Sequence, residues 1–335
     1  KQTNMSGDSF LVFGAGAWGT AIAAQLSRSN QKVILSSFDN NNLLNIEQTR
    51  ENKKYLPGFL LSKEIKVSPY EKKIMDRVGS VVVCVKSPYF FDAISLLGKT
   101  TRNKNLLWAT KGFDPKTGGL FSEVIEETLG EKTPYAVLSG PTFAKELAEG
   151  KPAAVTLAAK NINNPGALAK QMSNKSLRVY LSDDPVGVQL GGGLKNIVAI
   201  AAGVSDALEM GANARAALVT RGLNEIKMLG QKLGGNEKTF MGLSGMGDLM
   251  LSCTDDKSRN RLLGLSIGSG LSFKEATKLQ GSIPEGAHAA KTLVEKNIVT
   301  NEQPIMFAAY KLLYGGLDVK KVAEELMLRP IKGEF

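Results

Sequence analysis

A chain of 335 residues, 43% of them hydrophobic, is long enough for two domains, each with its own core. Lys and Arg outnumber Asp and Glu by 42 to 32, a net charge of +10, which favours anionic partners. The basic residues are scattered pairs such as Lys53-Lys54, Lys72-Lys73 and Lys320-Lys321, and aromatics make up only 7%, which argues against a nucleic-acid-binding face. Two cysteines and one histidine leave no disulfide framework and no multi-histidine metal site. No metal is expected, and the cysteine usage suits a reducing, cytoplasmic setting.

The first ten residues carry no apolar export stretch, and Met5 is a candidate native start. A β-branched run at 10–13 leads into Gly14-Ala15-Gly16-Ala17-Trp18-Gly19 and then a helical pattern at 20–29. That strand, glycine loop and helix order is what a dinucleotide site requires. The first glycine makes the tight turn, the second lets the backbone approach a pyrophosphate, and the third lets helix and strand pack closely. A second strand at 32–36 runs out through Ser36-Ser37-Phe38-Asp39. An acidic residue there favours the free ribose hydroxyl of NAD and a basic one accommodates the phosphate of NADP. Here two serines are available to a phosphate, while Asp39 reads equally as ligand or helix cap.

Further strand runs follow at 81–85, 105–109, 136–139 and 154–157, alternating with helical patterns, which argues for crossover units on a mostly parallel sheet. Lys111, at the carboxyl end of the 105–109 run, reads either as an ordinary surface lysine or as a residue facing the ligand crevice of such a sheet. Ser139-Gly140-Pro141-Thr142-Phe143-Ala144 is another strand-to-helix turn.

After Asp183-Asp184-Pro185 the strand signal stops. An aspartate there suits an N-cap and Pro185 the first helical position. Domains are therefore expected at 1–184 and 185–335, the second all-helical. The apolar segment 186–204 is broken by Lys195-Asn196 and many glycines, so it reads as a buried helix rather than a membrane span. Gly191-Gly192-Gly193 weaken that helix. Either they allow close helix packing beside a snorkelling lysine, or they open room for cofactor and substrate, with Lys195 as proton donor or acceptor. Helical patterns continue at 215–229 and 304–313. Between them, Ser258 reads as the N-cap of a helix at 262–267, and the first turn with Arg259 and Asn260 reads equally as a phosphate-type site or as an ordinary solvated arginine. His288 reads as a capping or surface residue.

Taken in order, GAGAWGTA (14–21), WATKG (108–112), LSGPTFAKELAEG (138–150), GGGLKNIVAIAAG (191–203), GANARAALVTRGL (211–223) and GLSGMGDLMLSCTDDKSRNR (242–261) resemble the bacterial NAD(P)-dependent glycerol-3-phosphate dehydrogenases. The resemblance runs nearly end to end. It implies an N-terminal Rossmann-type, doubly wound domain followed by an all-helical substrate domain, with the active site in the cleft between them and a homodimer in the cytoplasm. It also implies NAD(P)H as cofactor, dihydroxyacetone phosphate and sn-glycerol 3-phosphate as substrate pair, a supply role for phospholipid synthesis, and neither nucleic-acid binding nor stable membrane insertion. By the same resemblance Lys195 is the acid/base, with Lys111 and Asp248 completing the catalytic set. Gly140, Asn196, Ser258, Arg259 and Asn260 join these on the substrate. Gly14, Gly16, Ala17, Trp18, Gly19, Phe38, Lys111, Thr142, Ala144, Arg259, Ile283 and Glu285 line the cofactor. Two positions depart from the family pattern: Phe38 stands where many members carry a basic residue or histidine, and Ile283 replaces the usual valine. The alternatives are a hydroxyacyl- or hydroxyisobutyrate-type dehydrogenase, which the Lys111, Asp248 and Ser258-Arg259-Asn260 set disfavours, and a dinucleotide-sensing protein.

Overall fold

The computed structural model describes residues 9–101, 103–328 and 330, and the candidate start Met5 lies outside them. One unit comprises the described residues up to Asp114 together with Gly119–Gln189. The other comprises Pro115–Gly118 and the described residues from Leu190 onward.

The first unit is built on an eight-stranded sheet: β1 (Ser9–Phe13), β2 (Lys32–Ser36), β3 (Lys66–Val67), β4 (Ser80–Val83), β5 (Asn105–Trp108), β6 (Tyr135–Ser139), β7 (Ala153–Lys160) and β8 (Leu177–Ser182). Their spatial order is β3-β2-β1-β4-β5-β6-β7-β8. Neighbours are parallel from β3 through β6, β7 runs antiparallel to β6, and β8 is again parallel to β7. The central strands are unbroken apolar runs because both faces are covered. Phe10, Val12, Val82, Leu107 and Leu138 face α1 (Ala17–Arg28), α5 (Ala144–Glu149) and α6 (Pro165–Met172), on the side that also holds α2 (Asn40–Thr49). Their sequence neighbours Leu11, Phe13, Val81, Val83 and Trp108 face α3 (Phe90–Leu97) and α4 (Phe121–Leu129), as a two-residue period demands.

Two strands escaped the sequence reading. β3 pairs only two residues, Lys66 and Val67, with Ile34 and Leu35. β8 lies at the sheet's edge, where Arg178, Tyr180 and Leu181 are exposed or half-exposed and interrupt the apolar run.

A long helix, α7 (Pro185–Ala207), carries the chain from the first unit into the second. Asp184 accepts a hydrogen bond from the Gly187 amide at 2.8 Å, so this aspartate caps the helix and Pro185 takes its first position. The helix is long and apolar enough to cross a membrane, but its most apolar 18-residue stretch is 94% buried inside the protein, the property of a core helix. After it come α8 (Gly211–Lys232), α9 (Glu237–Phe240), α10 (Asp248–Thr254), α11 (Arg259–Gly268), α12 (Phe273–Leu279), α13 (Glu285–Glu295), α14 (Pro304–Tyr314) and α15 (Val319–Met327). Helices α7 and α11 meet backbone to backbone. A Cβ on Gly264 would lie 2.0 Å from the Ile200 carbonyl oxygen, and one on Gly203 2.1 Å from that of Arg261.

Candidate active site

In the first unit, β1 ends at Phe13 and the chain turns at Gly14, whose φ of +122° lies in a region closed to most side chains. The Gly14 amide donates to the Ser36 carbonyl at 2.7 Å, and a Cβ there would meet the Cys84 carbonyl oxygen at 2.5 Å. At Gly19 a Cβ would lie 1.8 Å from the Gly14 carbonyl oxygen, whereas one at Gly16 would meet nothing within 4 Å. Gly16 is the N-cap of α1 and supplies no side-chain cap, so the first amides of α1, including those of Ala17 and Trp18, have no side-chain partner from that position. Open space in front of an uncapped helix N-terminus, with the other two glycines locked in close packing, fits a dinucleotide pyrophosphate.

The carboxyl ends of β5 and β6 bring four of the expected residues together. Lys111 donates from Nζ to the Gly140 carbonyl at 2.9 Å, and the Thr142 hydroxyl donates to the same oxygen at 3.2 Å. The indole N–H of Trp18 donates to the Ala109 carbonyl at 3.1 Å, and Lys111 Nζ lies 5.8 Å from that ring's centroid, within cation–π range. Ala144, half-buried, opens α5.

At the end of β2, Phe38 is 49% exposed and stands edge-on to Phe13 at 5.0 Å. Asp39 is committed to capping α2, accepting from the Asn42 amide at 3.0 Å and pairing with Lys54 at 2.8 Å. These contacts, Lys54 first and then the Asn42 amide, hold its carboxyl below the usual range. Of the two serines available to a phosphate, only Ser37 is not fully buried. Ser36 is fully buried and Ser37 Oγ accepts from the Asp39 amide at 3.1 Å, because the last residue of a central parallel strand lies inside the sheet layer.

In the second unit, Lys195 on α7 and Asp248 at the start of α10 form an ion pair at 2.8 Å, with side-chain exposures of 8% and 1%. Lys195 Nζ also donates to Ser252 Oγ at 2.5 Å. Of the glycines preceding Lys195, Gly191 serves close packing. At Gly191 a Cβ would fall 2.6 Å from the Ser244 carbonyl oxygen, so this glycine admits the backbone of a π-helical turn, Leu243–Gly247, that runs directly into Asp248. Single π turns of this kind recur at functional sites. Here the turn delivers the carboxylate to the lysine.

Asn196, next to Lys195, accepts at Oδ1 from Asn260 Nδ2 at 2.9 Å, and the Gly286 amide donates to Asn260 Oδ1 at 2.8 Å. Asn260 therefore ties α7, α11 and the first turn of α13, where Glu285 sits. Ser258 caps α11 by accepting from the Arg261 amide at 3.4 Å. Arg259 is exposed and donates from Nη2 to the Ser282 carbonyl at 3.0 Å and hydroxyl at 2.6 Å, beside the partly exposed Ile283. His288 is half-buried inside α13 rather than at a cap.

Ser252, Arg261 and Asn52 belong to these networks and were not singled out as site residues from sequence. Ser252 lies one helical turn beyond Asp248, an i,i+4 spacing that places both on one face of α10; that signal was available. Arg261 is buried and pairs with Asp206, with Asp256 at 2.9 Å and with the Cys253 carbonyl at 3.3 Å, fastening the segment that holds Ser258, Arg259 and Asn260. Asn52, fully buried in the first unit, donates to the Ala15 carbonyl at 2.9 Å. The Arg261–Asp206 and Asn52–Ala15 contacts join distant stretches of chain and have no local signature.

Two profiles of one family together match nearly the whole chain. The profile of the NAD-dependent glycerol-3-phosphate dehydrogenase N-terminus matches residues 9–164, and that of the C-terminus matches residues 184–324. A glycerol-3-phosphate dehydrogenase (NAD(P)+) of Nitrosococcus oceani is 43% identical over 327 residues, 97% of this chain and 95% of its own. The crystal structure of a glycerol-3-phosphate dehydrogenase from Coxiella burnetii superposes with a TM-score of 0.91 at 37% identity, covering 96% of this chain and 99% of that one. The yeast glycerol-3-phosphate dehydrogenase superposes with a TM-score of 0.81 at 25% identity, covering 95% and 99%.

Proposed function

We infer the activity of this chain from one premise: it belongs to the NAD-dependent glycerol-3-phosphate dehydrogenase family. It is an NAD(P)-dependent oxidoreductase acting on a CH–OH group, and its reaction interconverts dihydroxyacetone phosphate and sn-glycerol 3-phosphate. The observation that carries the reading is the buried Lys195, held by Asp248 and Ser252. A lysine withdrawn from water and gripped by a carboxylate is a positioned acid/base rather than a surface charge.

When bound, the reduced nicotinamide supplies a hydride to the substrate's carbonyl carbon. The ammonium of Lys195 has three N–H donors; Asp248 and Ser252 take two, and the reading assigns the third to the carbonyl oxygen. Lys195 gives its proton to that oxygen as negative charge develops on it, and takes the proton back in the reverse direction. Lys111 adds positive charge to stabilise the alkoxide. Ser258, Arg259 and Asn260 are assigned to the substrate phosphate, whose binding fixes the carbonyl for attack. Gly14, Gly16, Ala17, Trp18 and Gly19 are assigned to the pyrophosphate, Phe38 to the adenine ribose side, and Thr142, Ala144, Ile283 and Glu285 to the remainder of the cofactor. The family membership further supports a cytoplasmic homodimer whose product feeds phospholipid synthesis.

The test is a spectrophotometric assay of reduced-nicotinamide loss on adding dihydroxyacetone phosphate, with NADH and NADPH in parallel. Turnover by the native chain and a loss of about 10²–10⁴ in kcat for Lys195→Ala, with cofactor affinity kept, is the expected result. A folded chain that binds the cofactor and turns over neither pair overturns the reading.

A further inference from the structure

Three successive carbonyls of the glycine loop face into the protein, and each has its own neighbour. The Gly14 oxygen packs against Gly19, at 1.8 Å from where a Cβ would be. The Gly16 oxygen accepts from the Thr20 hydroxyl at 2.7 Å and the Thr20 amide at 3.0 Å. Between them, the Ala15 oxygen accepts from Asn52 Nδ2 at 2.9 Å and, more weakly, from Asn42 Nδ2 at 3.4 Å. Asn52 is fully buried, also donates to Thr20 Oγ1 at 2.8 Å, and accepts from Asn42 at 3.4 Å. It is held in turn by its own segment: its carbonyl accepts from the Leu56 amide at 2.8 Å, and Leu56 and Leu61 are buried in the core that α1 helps to form.

A trans peptide points its C=O and the following N–H in opposite directions. Holding the Ala15 carbonyl inward therefore turns the Gly16 N–H away from Asn52, and holding the Gly16 carbonyl inward does the same for Ala17. Gly16 carries no side chain to restrict its φ and has open space in front of it, so the hydrogen bond from Asn52 is a direct restraint on rotation of the Ala15–Gly16 peptide.

We propose that Asn52 is a positioning residue of the cofactor loop: it locks the Ala15–Gly16 peptide so that successive amides are already aimed at the dinucleotide pyrophosphate before it binds. Asn52 touches no phosphate itself. Its effect is preorganisation, which is read as cofactor affinity. The proposal rests on the dehydrogenase reading above.

The experiment measures Kd for NADH and NADPH by nicotinamide fluorescence in the full chain, with Tm, kcat and both KM values alongside. Asn52→Ala is expected to raise Kd and the cofactor KM by about tenfold, leaving the KM for dihydroxyacetone phosphate and the kcat at saturating cofactor within about twofold. Asn52→Asp provides a readout that a purely structural role does not move. Its ionised carboxylate repels the Ala15 carbonyl, whereas its protonated form again donates to it, so the excess in Kd over the native chain shrinks as pH falls from roughly 8 to roughly 5. Should Asn52→Ala fail to fold, Thr20→Val removes one of Asn52's two acceptors and the hydroxyl bond to Gly16 in a near-isosteric side chain, with Kd raised about threefold expected. A folded Asn52 variant with native Kd, whatever its Tm, overturns the proposal, as does an unchanged Kd in Thr20→Val where Asn52→Ala is unfolded. A native chain that binds neither dinucleotide overturns the functional reading and this proposal with it.

Discussion

Asp248 lies 53 residues beyond Lys195 in the chain, yet its Oδ1 stands 2.8 Å from the lysine Nζ, and the two side chains are 1% and 8% exposed. Asp248 supplies the carboxylate that faces the buried Lys195 ammonium. Asp248→Ala leaves an ammonium buried without its carboxylate, a loss on the order of 3–5 kcal/mol in stability, together with a loss in kcat of at least about 10². Thermal unfolding and steady-state kinetics check both. An Asp248→Ala enzyme as stable and as fast as the native chain would refute the pairing's importance. Ser252→Ala removes only the second anchor and is expected to lower kcat by about tenfold at unchanged cofactor Kd.

Gly191 is where α7 and the π turn touch. A methyl group there, 2.6 Å from the Ser244 carbonyl oxygen, cannot be accommodated without moving backbone that leads into Asp248. Gly191→Ala is expected to cost about 1–3 kcal/mol by overpacking and to reduce kcat beyond what the stability loss implies. Kinetics well below the melting temperature separate the two effects, and native kcat in this variant would mean the π turn tolerates displacement.

Phe38 occupies an exposed position just past β2, edge-on to Phe13. The expected outcome of Phe38→Arg is a rise of about tenfold in the ratio of kcat/KM for NADPH over NADH, because a guanidinium there meets the extra phosphate of NADP. A ratio that stays at the native value would show that another residue sets cofactor choice.

Both cysteines are buried. Burial pushes the Cys253 thiol up to about 12 from an ordinary 9.0 and raises Cys84 as well. Folding therefore keeps neutral thiols that the unfolded chain ionises. This contribution to stability is complete below pH 9.0 and is lost as pH climbs from there toward about 12. A Tm that declines over that interval is expected. So is a native enzyme whose thiols stay unlabelled by a disulfide reagent at about pH 8 until denaturant exposes both. Rapid stoichiometric labelling of the folded chain would contradict the burial of these side chains.

Elements whose cause is local were legible in the sequence. The glycine loop follows a strand and opens a helix because the turn itself demands glycine at Gly14, where φ is +122°. Asp184 caps α7 and Ser258 caps α11 through amides three residues on, a reach set by backbone geometry alone. The central strands declared themselves as continuous apolar runs because both their faces are buried, whereas β8, half-exposed at an edge, did not. Asp39 could be ligand or cap on sequence grounds, and its bond to the Asn42 amide decides for the cap.

What the sequence by itself determined is thus the order of elements, their periodic burial and their ends, since these depend on hydrogen bonds within a turn and on repeats of two or 3.6 residues. Only the tertiary structure decided which polar groups meet. Lys195 with Asp248, Arg261 with Asp206 and Asn52 with Ala15 are separated by 53, 55 and 37 residues, and each pairing exists because the helices or loops bearing it are packed together. The same holds for Gly191. Its sequence setting allows either an opening for a ligand or close packing, and the Ser244 carbonyl oxygen 2.6 Å from where a Cβ would be decides for close packing, because what lies across the contact leaves no trace in the glycine's own neighbours.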